Sequence, residues 1–344
     1  MKKVLKITIL LAAFMLFSSF ARVTLTLVRP AELTVPQHIQ TLIVIDRTLP
    51  SDEKKNKKEE ILTGELMHQD QQAVEQSMEG VINMVMNTPR FKIVRTTEKY
   101  QGSTTGTLFP EPLSWDIIDQ LCEKYGADAV ISIETFDSDF ILTAGGKLLP
   151  RVDHDRILPV GVSVNGVATV NIGFRLYDPA TRTIADEFKF SHKMNVGSQI
   201  NSVTDVARGV LAKTDAINQV SYAAGQIYGE RICPVYYRVT RYFYDRPKRN
   251  KKLREGVRKS EVADWNGAIE SWKEALNETK KRKQKGRLCL NIAVGYEVLG
   301  DMDQALDWAS KSYTDYREKQ ADDYVRALRN RINEESVVKS QLNK

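Results

Sequence analysis

The chain has 344 residues, of which 42% are hydrophobic and 27% are charged, and its formal net charge at pH 7 is +6. This composition is typical of a globular protein with a sizeable core, and it excludes an intrinsically disordered chain and a disulfide-stapled mini-protein. The length favours two domains. After the N-terminal segment no apolar run is long enough to cross a bilayer, which excludes a multi-spanning membrane protein.

The first 21 residues have the pattern of an export signal. Three lysines lie within the first six residues, an apolar stretch runs over residues 7–20, and the small residue Ala21 stands where a signal peptidase would cut. We therefore expect a signal peptide at residues 1–21, a mature chain that begins at Arg22, and export. An uncleaved membrane anchor is the alternative. No cysteine follows the apolar stretch, so the sequence does not indicate a lipid anchor.

The charge and the cysteines are uninformative about chemistry. Removing the three lysines of the signal lowers the net charge from +6 to about +3, which is too weak to indicate a nucleic-acid partner. Cys122, Cys233 and Cys289 are far apart and have no metal-ligand spacing. We expect small buried thiols; one disulfide with an odd cysteine left over is the alternative.

Residues 22–245 are predicted to form an α/β domain. Apolar β-branched runs at residues 41–46, 91–94 and 129–133 predict buried strands, and helical periodicity occupies residues 71–87 and 113–125 between them. Longer strands with a period of two follow at 160–164, 168–177 and 184–191, and a helix is expected over 203–228. The fold class is therefore α+β or α/β, with a three-layer-type domain and a mixed sheet. The charge-dense residues 50–64 are predicted to be a solvated loop.

Residues 246–344 are predicted to be entirely helical. The segments 263–276 and 300–313 align 37 residues apart, which matches Ala268 with Ala305, Trp272 with Ala309 and Ala275 with Ser312. Both segments resemble the second half of a tetratricopeptide repeat, whose usual period is about 34 residues. Small residues such as Ala293 and Gly256 fit the helices before them, and a helix over 321–337 is expected to cap the array. Plain helices packed on the α/β domain are the alternative.

Three short segments of the first domain resemble segments of another protein family. The segments 87–95, 125–131 and 175–181 are similar to the domain of curli-secretion lipoproteins and penicillin-binding-protein activator lipoproteins, over residues 40–195. The resemblance implies a Gram-negative envelope protein, periplasmic or associated with the outer membrane, with an assembly or regulatory role and no chemistry of its own.

The sequence contains few candidates for a catalytic site. No G-x-S-x-G, H-E-x-x-H, Walker A or G-x-G-x-x-G pattern occurs, so we expect no catalytic residue, cofactor or metal. Asp137 and Asp139 share one face of a strand and could act as the carboxylate pair of a hydrolase. Residues 153–155, Asp-His-Asp, could supply metal ligands, but a solvated loop is favoured.

The leading hypothesis is a non-enzymatic exported adaptor. Its α/β domain would bind an envelope component, and its repeats would bind an envelope protein through the partner-binding residues Trp265, Trp272, Tyr296 and Trp308. The alternatives are an envelope hydrolase that uses Asp137 and Asp139, and a structural subunit of an oligomeric envelope complex. The basic runs at residues 248–259 and 280–287 could meet a membrane surface, although solvated helix ends are favoured.

Overall fold

The computed structural model describes residues 20–49, 69–88, 90–102, 108–144, 147–148, 162–200, 203–245 and 250–342. Residues 1–19 of the expected signal peptide, the charged segment 50–64 and the Asp-His-Asp triplet at 153–155 lie outside the described residues. The chain divides into two compact units. The sheet unit is Pro30–Val235 with the C-terminal residues from Lys339, and the helical unit is the strand Phe20–Arg29 with Tyr236–Val338.

The sheet unit is built on a mixed sheet, as the sequence predicts. Its strands are β2 (Thr41–Leu49), β3 (Lys92–Gln101), β4 (Ala129–Ala144), β5 (Lys147–Leu148), β6 (Val162–Asp178) and β7 (Thr183–Ile200). Their order is β3-β2-β4-β6-β7, with β5 paired to β4. β2 runs parallel to β3 and β4, whereas β4, β6 and β7 are antiparallel. Parallel neighbours require crossover helices, and the two helices between β2, β3 and β4 supply them.

Helices α1 (Gln69–Met86) and α3 (Val203–Ile232) pack on one face of this sheet. They approach closely because glycines face backbone: a Cβ on Gly80 would lie 2.1 Å from the carbonyl oxygen of Tyr222. Helix α2 (Trp115–Tyr125) packs on the other face against alternate residues of β2. It ends at Gly126, which adopts the left-handed conformation with φ 62°.

The helical unit pairs two strands with five helices. Strand β1 (Phe20–Arg29) pairs with β8 (Val235–Tyr244). The helices are α4 (Lys251–Glu261), α5 (Trp265–Glu278), α6 (Arg282–Leu299), α7 (Met302–Thr314) and α8 (Lys319–Leu342). The all-helical C-terminal region therefore forms as predicted, but both strands belong to its compact unit, whereas the sequence-based boundary falls after residue 245.

Strand β1 runs through the expected cleavage position. Phe20 and Ala21 are its first two residues, and the ring of Phe20 lies 4.7 Å from that of Tyr244. Among the described residues, no helix combines the length and apolar character needed to span a membrane.

Candidate partner-binding site

Two helical hairpins, α4–α5 and α6–α7, have the same turn 37 residues apart. The backbone N–H of Asp264 in the first and of Asp301 in the second donates to the carbonyl five residues earlier, at 2.9 Å and 3.0 Å. Each aspartate then caps the next helix by accepting a hydrogen bond from the N–H three residues later, at 2.9 Å and 3.0 Å. The residue before each cap is left-handed: Ala263 has φ 63° and Gly300 has φ 83°.

Equivalent positions of the two hairpins are also buried together in the core of the helical unit. The buried pairs are Leu253 and Leu290, Gly256 and Ala293, Ala268 and Ala305, Trp272 and Ala309, and Ala275 and Ser312. Turn geometry, capping and burial therefore repeat with the spacing that the sequence indicated. Assignment of this repeat to the tetratricopeptide family stays a prediction.

Trp272 is a core residue and not a partner contact. Its side chain is 0% exposed, and its indole N–H donates to the carbonyl of Leu253 at 3.2 Å. The helix crossing around it requires a glycine, because a Cβ on Gly256 would lie 2.3 Å from its Nε1 atom. The prediction that Trp272 binds a partner is therefore wrong: in this hairpin the large aromatic residue fills the space between two closely packed helices.

Glu297 in α6 is a buried charge that sequence reasoning missed. Its carboxylate is out of contact with solvent and accepts hydrogen bonds from Arg241 at 2.8 Å and 3.0 Å, from Arg331 at 2.9 Å and from Tyr324 at 2.6 Å. Burial opposes its ionisation, but the hydrogen bonds from Arg241, Tyr324 and Arg331 and the positive charge of Arg241 together hold its pKa below the ordinary value. Strand β8, helix α6 and helix α8 are thereby joined inside the helical unit.

Tyr296 and Trp308 lie at the surface with two lysines, and we call these four residues the lysine–aromatic cluster. Both aromatic rings are half-buried. Lys273 donates to the Tyr296 hydroxyl at 2.7 Å, and its Nζ lies 5.1 Å from the centre of that ring and 5.7 Å from the centre of the Trp308 ring. Lys311 Nζ lies 5.1 Å from the Trp308 ring. Cation–π attraction fixes both ammonium groups beside the aromatic surface.

The cluster gathers residues from three consecutive helices. Lys273 comes from α5, Tyr296 from α6, and Trp308 and Lys311 from α7. Two positive charges beside two half-exposed rings suit a partner that offers carboxylates next to apolar groups. The sequence pointed to both aromatic residues, but the lysines could have been found only by projecting the 37-residue repeat onto adjacent helices.

Trp265 lies elsewhere in the helical unit. It is the first residue of α5, is half-buried, and packs edge-on against Phe243 with 5.9 Å between ring centres. All three half-buried rings pack against the core of the helical unit, and those of Tyr296 and Trp308 also contact lysines. The structure thus brings Tyr296 and Trp308 together in the cluster, whereas Trp265 and Trp272 both pack against Phe243.

Asp137 and Asp139 occupy one face of β4, as predicted. Asp137 is half-buried and accepts a hydrogen bond from the side-chain amide of Asn171 at 3.0 Å, whereas Asp139 is exposed. In the part of the chain that the structure describes, no group of three or more His, Cys, Asp or Glu side chains could hold a metal ion. Catalysis by this pair stays a prediction.

In the sheet unit Glu134 is fully buried and Asp70 is half-buried, and neither carboxylate was singled out from the sequence. Glu134 accepts hydrogen bonds from Arg47 at 2.8 Å and from Tyr177 at 2.7 Å. Burial and this carboxylate raise the pKa of Tyr177 to about 12. Asp70 accepts a bond from the Ser138 hydroxyl at 2.6 Å, and burial raises its pKa. Glu134 joins strands β2, β4 and β6 of the sheet, whereas Asp70 joins helix α1 to β4, and only the folded chain reveals these partners.

The three cysteines are free and buried, as expected. Burial raises the pKa of Cys122 to about 11 and that of Cys233 and Cys289 to about 12. Thiols with such pKa values are protonated at neutral pH and are poor nucleophiles.

Structural comparison finds proteins that share little sequence with this chain. PelC from Paraburkholderia phytofirmans, solved as a dodecamer, is 8% identical with a TM-score of 0.23, and the match covers 61% of this chain and 98% of that one. The hypothetical protein CT253 from Chlamydia trachomatis is 12% identical with a TM-score of 0.27, covering 57% of this chain and 98% of the other. A search of curated proteins gives no match.

Two family models match the sequence. The model described as domain of unknown function DUF6340 matches residues 254–330, which include both helical hairpins except the first three residues of α4. The model described as domain of unknown function DUF8603 matches residues 39–244, which is more than half of the chain. The protein therefore belongs to the DUF8603 family.

Proposed function

We propose that this protein is a non-enzymatic exported adaptor whose helical unit binds an acidic segment of another envelope protein at the lysine–aromatic cluster. The observation that carries the proposal is the placement of Lys273 and Lys311 beside the half-exposed rings of Tyr296 and Trp308. Export and an envelope location rest on the N-terminal pattern of the sequence. In this proposal the sheet unit attaches the adaptor to its envelope component.

The chemistry of the cluster selects the partner. An ammonium group has three N–H donors, and the bond to Tyr296 uses one of those of Lys273. A partner carboxylate can therefore accept from the same lysine without disturbing the contact that orients it. Trp308 contributes apolar area at low entropic cost, which is why aromatic residues dominate the energetics of protein interfaces. Binding by this cluster should weaken as salt rises, because salt screens exposed charges.

The test is in-cell crosslinking of tagged full-length protein, followed by envelope fractionation and identification of captured proteins. We expect Trp308→Ala, and separately the double variant Lys273→Gln with Lys311→Gln, to reduce capture of one partner by about tenfold or more, the range of an interface hot spot. Tyr313→Ala is the matched control, because Tyr313 is 46% exposed on the same helix α7 and lies outside the cluster. Undiminished capture by both cluster variants would refute the proposal.

The hydrolase hypothesis makes the opposite prediction. If Asp137 and Asp139 carry the function, the double variant Asp137→Asn with Asp139→Asn abolishes the cellular phenotype while partner capture persists. A retained phenotype in that variant removes the hydrolase hypothesis.

A further inference from the structure

Strand β7 (Thr183–Ile200) is a long edge of the sheet unit. It is the last strand in the order β3-β2-β4-β6-β7, and among the described residues no strand pairs with its outer side. An edge strand presents a row of backbone N–H and C=O groups that can pair with another strand. Because β7 has 18 residues, this edge is longer than that of an average strand.

The two faces of β7 differ in chemistry. From Asp186 onward its pairing with β6 is regular, so side chains alternate between the faces. Even-numbered residues Phe188 and Phe190 face the core side, where both rings are half-buried and lie 5.1 Å apart. Odd-numbered residues form the opposite, exposed face, and they are Glu187, Lys189, Ser191, Lys193 and Asn195. A partner strand must be compatible with the aromatic residues on one face and with the charged residues on the other.

We infer that β7 pairs with β7 of a second copy of this chain, antiparallel and centred on Phe190, to form a symmetric dimer with one continuous sheet. A two-fold axis perpendicular to the sheet keeps each face on its own side, so odd-numbered residues lie opposite odd-numbered residues. Centring on Phe190 places Glu187 opposite Lys193 at two symmetric positions. It also places the two Phe190 rings side by side, which buries aromatic surface that is half-exposed in one copy.

Neighbouring registers are poorer. When the pairing is centred on residue 189, Lys189 lies opposite Lys189 of the second copy. When it is centred on residue 191, Lys189 lies opposite Lys193. Both registers are unfavourable, because like charges directly opposite one another destabilise a sheet. Centring on residue 188 pairs Glu187 with Lys189, but β7 begins at Thr183 and only residues 183–193 then overlap. Centring on Phe190 extends the overlap over residues 183–197. Glu187 also receives a bond from Arg175 of β6 at 2.6 Å, which holds its carboxylate on the exposed face of the sheet.

The test measures the mass of the purified full-length protein in solution by light scattering and sedimentation over a range of concentrations. We expect twice the mass of a single chain of the purified protein. Lys193→Glu should raise the dimer dissociation constant by about tenfold or more, because two attractive pairs become repulsive. Lys189→Glu is the matched control on the same face and strand, and it should leave the dimer intact, since Lys189 lies opposite Ser191 in the inferred register.

A second measurement uses the unaltered protein, so it does not depend on whether a variant folds. Hydrogen exchange of the unaltered protein should show protection of the backbone amides of residues 186–194 that falls when the sample is diluted below the dissociation constant. A monomer at every concentration, an oligomer that Lys193→Glu leaves intact, or dissociation by Lys189→Glu alone would overturn the inference. None of these outcomes depends on the lysine–aromatic cluster, so the adaptor proposal is tested separately.

Discussion

The two hairpins of the helical unit share one turn but build different cores. Asp264 and Asp301 make the same capping bonds, and the helices on either side bury the same positions. In the first hairpin, Trp272 fills the crossing against Gly256. In the second, the equivalent residues are Ala309 and Ala293, and both are small.

The first helices of the two hairpins, α4 and α6, also differ, in the polar residue that they bury at one equivalent position. Ser260 in α4 is buried and donates to the carbonyl of Val257 at 2.7 Å. Its equivalent 37 residues later is Glu297, which binds Arg241 and Arg331. The turn and its caps therefore define the repeat, whereas the volume and charge of the side chains at each helix crossing are adjusted to the neighbouring elements.

Trp272→Ala should produce the largest loss of stability. Removing a fully buried indole leaves a cavity between closely packed helices and should lower the free energy of unfolding by about 3–5 kcal/mol. The equivalent truncation in the second hairpin, Ala309→Gly, removes one methyl group and should cost about 1 kcal/mol. Chemical denaturation followed by tryptophan fluorescence measures both, because Trp265 and Trp308 remain in the helical unit. Equal losses would contradict the difference between the crossings.

Glu297→Gln should lower the free energy of unfolding by about 3 kcal/mol at neutral pH, because it leaves Arg241 without the carboxylate that pairs with it and leaves Arg331 with Glu335 alone. The folded-state pKa of Glu297 is depressed, so its contribution is present above the unfolded pKa of about 4.3 and is lost as pH falls through the folded value. The difference between the variant and the unaltered protein should therefore shrink below about pH 4.

The matched change in the first hairpin is Ser260→Ala. It should cost about 1 kcal/mol, the net contribution of one hydrogen bond, and should show no such dependence on pH. Denaturation curves recorded from pH 3 to pH 8 would separate the two sites; a pH-independent effect at Glu297 would contradict the assignment of its buried charge.

Gly256→Ala should destabilise the helical unit by about 1–3 kcal/mol, since the added methyl group overlaps the indole of Trp272. In the background of Trp272→Ala the same change should cost little, because the clashing ring is gone. A double-mutant cycle measures this coupling. Additive effects would show that the close contact does not determine stability.

Ala263→Gly should stabilise the protein by up to about 1 kcal/mol, because Ala263 holds the left-handed conformation that Gly300 adopts without a Cβ penalty. Gly300→Ala should destabilise it by a similar amount. Thermal unfolding of the two variants should shift the melting temperature in opposite directions, and shifts of the same sign would contradict the equivalence of the turns.

Much of this organisation follows from local sequence. The left-handed residue at the end of α2 was predictable because Gly126 follows a helical pattern, and the 37-residue repeat was predictable from residues such as Ala268 and Ala305. Trp272 was misinterpreted, because a tryptophan on a helix has the same local signal whether it faces a partner or a glycine on the preceding helix. The decisive glycine lies 16 positions earlier, and nothing local links the two residues.

Features that depend on short-range physics could be predicted from the chain alone: the mixed α and β composition, the approximate positions of the helices, the buried cysteines and the spacing of the hairpins. Periodicity, capping and left-handed turns are encoded within a few residues. Packing of distant elements established the pairing of β1 with β8, the arginines around Glu297, the lysines beside Trp308 and the edge position of β7 in the sheet. Each of these joins residues that are distant along the chain, and their contacts exist only after packing has brought the elements together.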